Sequence, residues 1–450
     1  MAEPAERLPA RPSRLGALAC PPFARLLSGQ VVSQVGTQMN NTAAAWVLYR
    51  LTHSAQALGL QGLCFSLPIA VLPLFTGILA DRFSRVALVK ATLAAEAAQS
   101  FGLAALAGTG NLRPWMLYLA ASADACRLAV GIPAQSALIP NVVPPSALLS
   151  ALALSSSTWS SSAMVGPALA GALLTANGPG LVFAVNGGCT LAALAAVSTL
   201  GRVARLPATA DRLSGLGAGV AYLRSHRPVL WLQGILLVAM AAVLGVETLL
   251  PVFASRSWHT GSAGYGLLRI APGIGAVLAG LGLSMFPPAG RRIPVLAAAF
   301  AVAGAALAAF AARPSFIVAF ILLAGGSWCL AATQVIAGTM VQQAIPDALR
   351  GRISALGSAG QNGMAGIAAA LTAAAAAGVG AGPAVMALAA VSTGAGLLLC
   401  AGLARAGRPP DRPSAVQPGW QDGHQKVTRS SCPAERTGVP HRRHGLPRRP

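Results

Sequence analysis

Long apolar runs fill most of this chain, and they limit the folds that it can adopt. Twelve runs follow one another, at roughly 26–50, 56–80, 86–108, 114–138, 148–175, 180–200, 229–254, 262–286, 293–312, 315–341, 353–378 and 380–402. A helix needs about 20 apolar residues to cross the hydrocarbon core of a bilayer. Because lipid tolerates only helices and closed barrels as spanning structures, we predict an all-α membrane protein with twelve transmembrane helices.

The composition agrees with a membrane protein. The chain is 55% hydrophobic and only 10% charged, whereas soluble domains carry roughly 25% charged residues. The formal net charge of +21 could suggest a nucleic-acid partner, but the basic residues lie in short loops and tails between the apolar runs. We therefore expect the bilayer as a partner and no nucleic acid.

Motifs of enzymes and metal sites are missing from the sequence. The seven cysteines form no C-x-x-C pair, and the six histidines form no H-E-x-x-H motif. Neither a phosphate-binding P-loop nor a G-x-S-x-G elbow occurs. We therefore predict no cofactor, no metal and no enzymatic activity.

The arginines predict the orientation of the chain. With the N-terminus inside, the outer loops and helix ends hold only Arg50, Arg113, Arg256 and Arg313, and the inner side holds the other basic loop residues. Because basic loops remain in the cytoplasm, both termini are expected there.

The longest interior loop divides the runs into six and six. We predict a cytoplasmic N-terminal tail at 1–25, a first six-helix half at 26–200, a cytoplasmic linker at 201–228 and a second half at 229–402. Residues 403–450, rich in Pro, Arg, Gly and Ser, are predicted to be a disordered basic tail. That tail either binds anionic lipid or is dispensable.

The loop after the second run carries a recognisable motif. Gly77, Leu79, Asp81, Arg82 and Arg85 match the pattern G-x-L-a-D-R-x-G-R-R, although Ser84 and Val86 depart from it. The segment resembles the signature loop between helices 2 and 3 of the major facilitator superfamily. The resemblance implies a gating motif at Gly77, Asp81, Arg82 and Arg85, while an ordinary positive-inside loop is the alternative.

Further motifs resemble those of bacterial exporters in this superfamily. The segment 346–352 has the pattern P-x-x-x-R-G-R, and 23–36 is similar to the opening of their first span. Gly166, Pro167 and Gly171 resemble the antiporter motif G-P-x-x-G-G, with Ala170 in place of one glycine. Close packing of small residues explains the same three positions without any role in export.

Five charged residues inside the apolar runs are candidates for proton coupling. Antiparallel hairpin geometry predicts that Glu247 and Arg269 pair, and that Glu96 lies level with Arg127, near Asp124. Ionisable side chains are costly in a membrane and are usually functional. One of the carboxylates could bind and release a proton in each cycle, or the charges could form static pairs that only fix helix packing.

Polar and aromatic residues within the runs could line a substrate cavity. The candidates are Asn40, Asn41, Trp46, Trp159, Gln334, Gln361 and Asn362. Such groups stack on amphipathic ligands and form hydrogen bonds with them, but each could equally bond to a neighbouring helix.

These resemblances imply a secondary transporter of the branch that contains drug, siderophore and macrolide exporters. We expect a monomer in the bacterial inner membrane that exports a small amphipathic molecule in exchange for protons. Import of a nutrient on the same fold is the alternative. A receptor without transport activity would be expected to have a sensory domain, for which the tail and loops are too short.

Overall fold

The structure is a computed structural model that describes residues 16–72, 84–144, 147–199, 216–286, 290 and 292–406. Helices account for nearly all of these residues, and the described part contains no strand. The helices, which we number α1 to α13, are Pro21–Thr52, Ala55–Val71, Arg85–Gly108, Pro114–Val142, Leu148–Asn177, Pro179–Ser198, Leu216–Ser225, Arg227–Val252, Gly261–Met285, Arg292–Ala311, Phe316–Ala344, Asp347–Val379 and Ala381–Arg405.

Eight of the described helices are long and apolar enough to cross a membrane: α4, α6 and α8 to α13. Helix α2 is described over only 17 residues, because the end of its predicted run lies outside the described residues. Helices α1 and α5 are long, but runs of Gln, Ser, Thr and Asn reduce their hydropathy. The structure therefore has the all-helical fold that the sequence predicts, with eight spans identified by length and hydropathy.

Several helix boundaries differ from the expected ones. Helix α1 begins at Pro21 inside the predicted tail, and α12 begins at Asp347 rather than at 353. The predicted linker contains the short helix α7, and α13 continues to Arg405. Proline lies in the first turn of α1, where its missing N–H costs no hydrogen bond. The predictions for residues 1–15 and 407–450 lie outside the described residues.

The helix connections lie at two ends of the bundle. We call the end with residues 53–54, 109–113, 178, 258–260, 312–315 and 380 the distal end, and the end with Ser84 and α7 the proximal end. Trp258 donates a hydrogen bond to the carbonyl of Pro314 (2.8 Å), and Arg256 donates one to the carbonyl of His53 (3.1 Å). These bonds join connections that are far apart in sequence.

We call helices α1–α6 the N-terminal set and helices α8–α13 the C-terminal set. The two sets contact each other through small residues. A Cβ atom on Gly266 of α9 would lie 2.6 Å from the carbonyl oxygen of Pro167 in α5. A Cβ atom on Gly59 of α2 would lie 2.6 Å from Cβ of Ala373 in α12. Because backbones approach this closely only at small residues, the distal end of the bundle is closed.

We expect Gly266→Val to destabilise this closed arrangement. The new side chain would meet backbone atoms of α5, which cannot move aside as a flexible side chain can. Overpacking of this kind costs about 1–3 kcal/mol, which denaturation of the purified protein in detergent would measure as a loss in unfolding free energy. Gly280→Val on the same helix is the control, since nothing lies within 4 Å of its Cβ position. Equal losses in both variants would contradict the close approach.

Candidate functional site

A cavity of about 170 Å³ lies between the two sets of helices in the distal half of the bundle, and it reaches inward to Asn40 and Asp124. Helices α1, α2, α3 and α4 line it on one side, and α8 and α9 line it on the other. Its polar lining residues are Asn40, Asn41, Gln61, Asp124, Glu247, Thr248, Tyr265 and Arg269. We call this space the central cavity. It brings charged groups from both sets of helices to one cavity.

Glu247 and Arg269 form an ion pair in the wall of the central cavity. Nη1 of Arg269 donates to Oε2 of Glu247 at 2.5 Å. The two residues lie on consecutive antiparallel helices, α8 and α9, so the short connection between the helices places them at the same depth. The structure therefore makes the contact that hairpin geometry predicts.

A second cluster joins Glu96, Asp124 and Arg127. Nη1 of Arg127 lies 2.9 Å from Oε2 of Glu96, and Nε lies 3.6 Å from Oδ1 of Asp124. Glu96 also accepts a hydrogen bond from the hydroxyl of Thr37 (2.7 Å), and Asn40 donates to Asp124 (3.4 Å). Glu96 is therefore the more tightly held carboxylate, and Asp124 is the one that reaches the central cavity.

A second cavity of about 370 Å³ lies wholly within the N-terminal set. We call it the proximal cavity, because it extends from Thr37 and Arg127 toward the proximal ends of α1, α3, α4 and α5. Its polar lining includes Gln30, Ser33, Gln34, Gln135, Ser136, Ser155 and Ser156. Since Asp124 lines one cavity and Arg127 lines the other, the charged cluster separates the two spaces.

The residues predicted to line a substrate cavity do not all line the same cavity. Asn40 and Asn41 line the central cavity, and Trp159 lines the proximal cavity. Trp46 lines neither of these two cavities and stacks on Tyr265 with ring centroids 5.7 Å apart. This stack joins α1 to α9 on the distal side of the central cavity.

Three candidates in the C-terminal set lie away from both cavities. Gln334 contacts the sulfur of Met240 (3.8 Å), and Asn362 donates to the carbonyl of Ser358 in its own helix (2.8 Å). Gln361 is half-buried on the same helix as Asn362. The contact of Gln334 with Met240 of α8 is the bond to a neighbouring helix that is the alternative for these residues, whereas Asn362 bonds within its own helix.

The motif residues are described only in part. Gly77, Asp81 and Arg82 lie outside the described residues, and Arg85 is the first residue of α3. Ser84, which replaces the usual glycine, caps α3 by accepting a hydrogen bond from the amide of Ala87 (3.2 Å). A serine is well suited to this position, because its hydroxyl satisfies an amide of the first helical turn.

The antiporter-like motif lies at close helix contacts. A Cβ atom on Gly166 would lie 2.5 Å from Cβ of Gln38 in α1, and one on Gly171 would lie 3.0 Å from Cα of Gly266 in α9. Pro167 is inside α5, and its carbonyl faces the same contact with Gly266. These positions therefore pack α5 against both sets of helices.

Sequence reasoning missed three residues of the site. Thr37 bonds to Glu96, Gln61 lines the central cavity, and Tyr265 lines the cavity and stacks on Trp46. A hydroxyl or amide in an apolar run is a weak signal alone. The position of Thr37 three residues before Asn40, on the same helix face, is the one pattern that could have indicated it.

The charges of the site do not balance. The cluster has two carboxylates and one guanidinium, whereas Glu247 and Arg269 balance each other. An uncompensated charge is costly at a buried position, so one proton on the cluster would remove that cost.

In the described residues, no group of three or more His, Cys, Asp or Glu side chains forms a possible metal site.

A helical bundle with a polar, charge-lined cavity between two sets of helices is the arrangement of a membrane transporter. The sequence model of the transmembrane secretion effector family, within the major facilitator superfamily, matches residues 13–416. The chain belongs to this family, and it is a multi-pass membrane transporter rather than an enzyme.

Three curated bacterial relatives share between 25% and 29% of their aligned residues with this chain. The macrolide efflux protein A of Streptococcus pyogenes is 25% identical over 63% of this chain and 71% of its own length. The enterobactin exporter EntS of Citrobacter koseri is 28% identical over 75% of this chain and 81% of its own. The MFS-type transporter YfiS of Bacillus subtilis is 29% identical, and the match covers 36% of this chain and 38% of YfiS.

Solved structures share the fold at low sequence identity. A bacterial homologue of the human lysosomal transporter Spinster, in an inward-facing and occupied conformation, superposes with a TM-score of 0.68. The match covers 88% of this chain and 98% of the homologue at 16% identity. At this identity the likeness shows the major facilitator fold.

Proposed function

We propose that this chain is a proton-coupled exporter of a small amphipathic molecule, working by alternating access. The names of the relatives support the direction, because the macrolide efflux protein and the enterobactin exporter both move compounds outward. The substrate would be a compound of similar character, such as a drug, an antibiotic or a siderophore.

The proposal includes the full architecture expected from the sequence. Twelve spanning helices would form two six-helix halves at 26–200 and 229–402, joined by the linker at 201–228. The protein would act as a monomer in the bacterial inner membrane, with both termini and the proximal end in the cytoplasm. The basic residues of the connections support this orientation.

The position of the charged cluster is the observation that carries the proton coupling. Asp124 reaches the central cavity, while Glu96 is held by both Thr37 and Arg127. Asp124 is thus the less tightly paired carboxylate, and it shares the cavity with Glu247 and Arg269. We assign the exchanged proton to Asp124, and we assign Glu96 and Arg127 the role of holding it in position.

The transport cycle would use the balance of charge in this site. With the distal end closed, substrate would enter the central cavity from the cytoplasm and displace the proton from Asp124. With the proximal end closed, a proton from outside would bind Asp124 and favour substrate release. A substrate and a proton that compete for one site are sufficient to couple their opposite movements.

The motifs have proposed roles in the same cycle. Gly77, Asp81, Arg82 and Arg85 would form the cytoplasmic gate. Gly166, Pro167 and Gly171 would let α5 shift against α1 and α9, and the contact of Gly171 with Gly266 would open whenever the distal end opens. The Trp46–Tyr265 stack would act as the distal gate directly above the cavity.

The lining of the central cavity supports an amphipathic substrate. Leu58, Phe65 and Leu117 offer apolar surface, and Asn41 and Gln61 offer hydrogen-bonding groups. Pockets for small molecules combine a mainly apolar wall with a few polar groups that fix orientation. Tyr265 adds an aromatic ring, on which a planar part of the substrate could stack.

Accumulation of candidate substrates in an efflux-deficient bacterial host tests the proposal. A panel of fluorescent dyes, macrolides and labelled siderophores would be compared in cells with and without the protein, and with a protonophore. We expect at least one compound to accumulate less when the protein is present, and the protonophore to abolish this difference. Higher accumulation of a compound would instead identify an importer and overturn the proposed direction.

A further inference from the structure

A third cavity of about 400 Å³ lies at the distal end of the bundle, apart from the central and proximal cavities. Both sets of helices line it. The residues that matter here are His53, Ser54 and Ala55 from the N-terminal set and Arg256, Arg313 and Ala381 from the C-terminal set. We call this space the distal cavity.

The distal cavity is positively charged. Arg256 and Arg313 both line it, and no Asp or Glu is among its lining residues. The described distal connections, at residues 53–54, 109–113, 178, 258–260, 312–315 and 380, contain no Asp or Glu either. Arg256 donates to the carbonyl of His53, a neutral acceptor, so no acidic side chain balances either guanidinium within the described part of the chain.

Two helices begin in the lining and add to the positive potential. Helix α2 begins at Ala55 and α13 at Ala381, and neither Ser54 nor Gly380 caps its helix with a side chain. The first turn of a helix presents unpaired amide hydrogens and a partial positive charge. Nε of Arg313 lies 3.7 Å from the position that a Cβ atom would take on Gly382, in this first turn of α13.

A guanidinium at a helix N-terminus is a juxtaposition of like charges, and a bound anion would relieve it. Arg256 and Arg313 line the same cavity and are both exposed, so an anion from solution or from the membrane surface can reach both guanidinium groups. Arginine is well suited to this task, because its planar fork matches the oxygens of phosphate and carboxylate groups. The chemistry of the cavity therefore selects a negatively charged oxygen ligand.

We propose that the distal cavity binds a phosphate or carboxylate group, and that the bound anion holds the distal end closed. The ligand would contact the start of α2 from the N-terminal set and Arg256 and Arg313 from the C-terminal set, so it would bridge both sets of helices. The anion is either the headgroup of an acidic lipid or a free anion from outside the cell. This inference is independent of export, because binding is measured without any transported substrate.

Thermal unfolding of the purified full-length protein tests the inference. Inorganic phosphate would be added in a neutral detergent, against chloride at equal ionic strength, and neutral-lipid nanodiscs would be compared with nanodiscs containing phosphatidylglycerol. We expect the unfolding temperature of the wild type to rise with phosphate or with phosphatidylglycerol, because a ligand of the folded state stabilises it. A rise with phosphate identifies a free anion as sufficient, and a rise only with phosphatidylglycerol identifies a lipid headgroup.

Matched pairs of variants separate this site from general charge effects. The double variant Arg256→Gln/Arg313→Gln should lose the rise in unfolding temperature. The double variant Arg50→Gln/Arg113→Gln should keep it, because these two arginines are also at the distal end but do not line the distal cavity. Gly266→Val keeps both cavity arginines but forces α5 and α9 apart, so it should reduce the rise. Equal rises in both arginine pairs, or no rise with either anion in the wild type, would overturn the inference.

Discussion

Replacing Asp124 with asparagine is expected to reduce proton-driven efflux at least about tenfold, a change of about 1.4 kcal/mol in the driven step. The amide keeps nearly the same shape and can still accept a hydrogen bond from Arg127 or Asn40. It cannot release a proton, and Asp124 is the carboxylate of the cluster that reaches the central cavity. Efflux from loaded cells, measured once a substrate is known, checks this prediction.

A second readout separates coupling from structure. Exchange of labelled for unlabelled substrate across proteoliposomes needs no net proton movement, so Asp124→Asn should retain it while losing driven efflux. Cys126→Ser is the control, because Cys126 lies two residues away on the same helix and is exposed. If Asp124→Asn retained driven efflux at the level of Cys126→Ser, Asp124 would not carry the proton.

Removing Arg127 is expected to cause the largest loss of stability at this site. In Arg127→Met, Glu96 and Asp124 would remain buried without their shared cation. Breaking a buried ion pair by deleting one partner costs about 3–5 kcal/mol. Unfolding of the purified protein in mixed detergent and denaturant would measure the loss.

A double-mutant cycle shows whether the cost arises from the ion pair. Adding Glu96→Gln to Arg127→Met removes one stranded carboxylate, so we expect it to recover roughly 1–3 kcal/mol. Ser136→Ala is a suitable control partner for Arg127→Met, since nine residues on a helix separate them by about 14 Å and distant substitutions add independently. Strict additivity in the Glu96 cycle would show that the contact contributes nothing.

Short connections explain which parts of the site could be predicted from sequence. The connection between α8 and α9 is short, with a π-helical turn at Phe253–Ser257 followed by residues 258–260. It fixes the relative depth of the residues in the two helices, which is why Glu247 and Arg269 could be paired by their numbers alone. The same reasoning placed Glu96 level with Arg127. Both contacts lie between helices that are consecutive in the chain, where register needs no knowledge of the rest of the bundle.

Contacts between distant helices could not be predicted in this way. The bond from Thr37 to Glu96 joins residues 59 positions apart, and it depends on how far α1 is rotated about its own axis. The stack of Trp46 on Tyr265 joins the two sets of helices, and the sequence has no periodic signal for it. The same rotations decide that Asp124 and Arg127, one turn apart on α4, line different cavities.

The small residues of α5 and α9 lie at close contacts between helices, and these contacts depend on how the helices pack. Gly166 and Gly171 were noted for a resemblance to an antiporter motif, and each lies where a neighbouring helix comes too close for a side chain. The two interpretations are compatible, because a contact without side chains can slide at little cost. Gly266, opposite Gly171, was not predicted, since its run contains many other glycines.

Substrate-induced proton movement in proteoliposomes is the most direct test of the central claim that export is coupled to protons through Asp124. The purified protein would be reconstituted with a substrate found in the cellular panel, and a pH-sensitive dye inside the vesicles would report proton flux. The account predicts that a substrate gradient drives protons in the opposite direction in the wild type and that Asp124→Asn abolishes this flux. Substrate movement without any proton flux in the wild type would contradict the account.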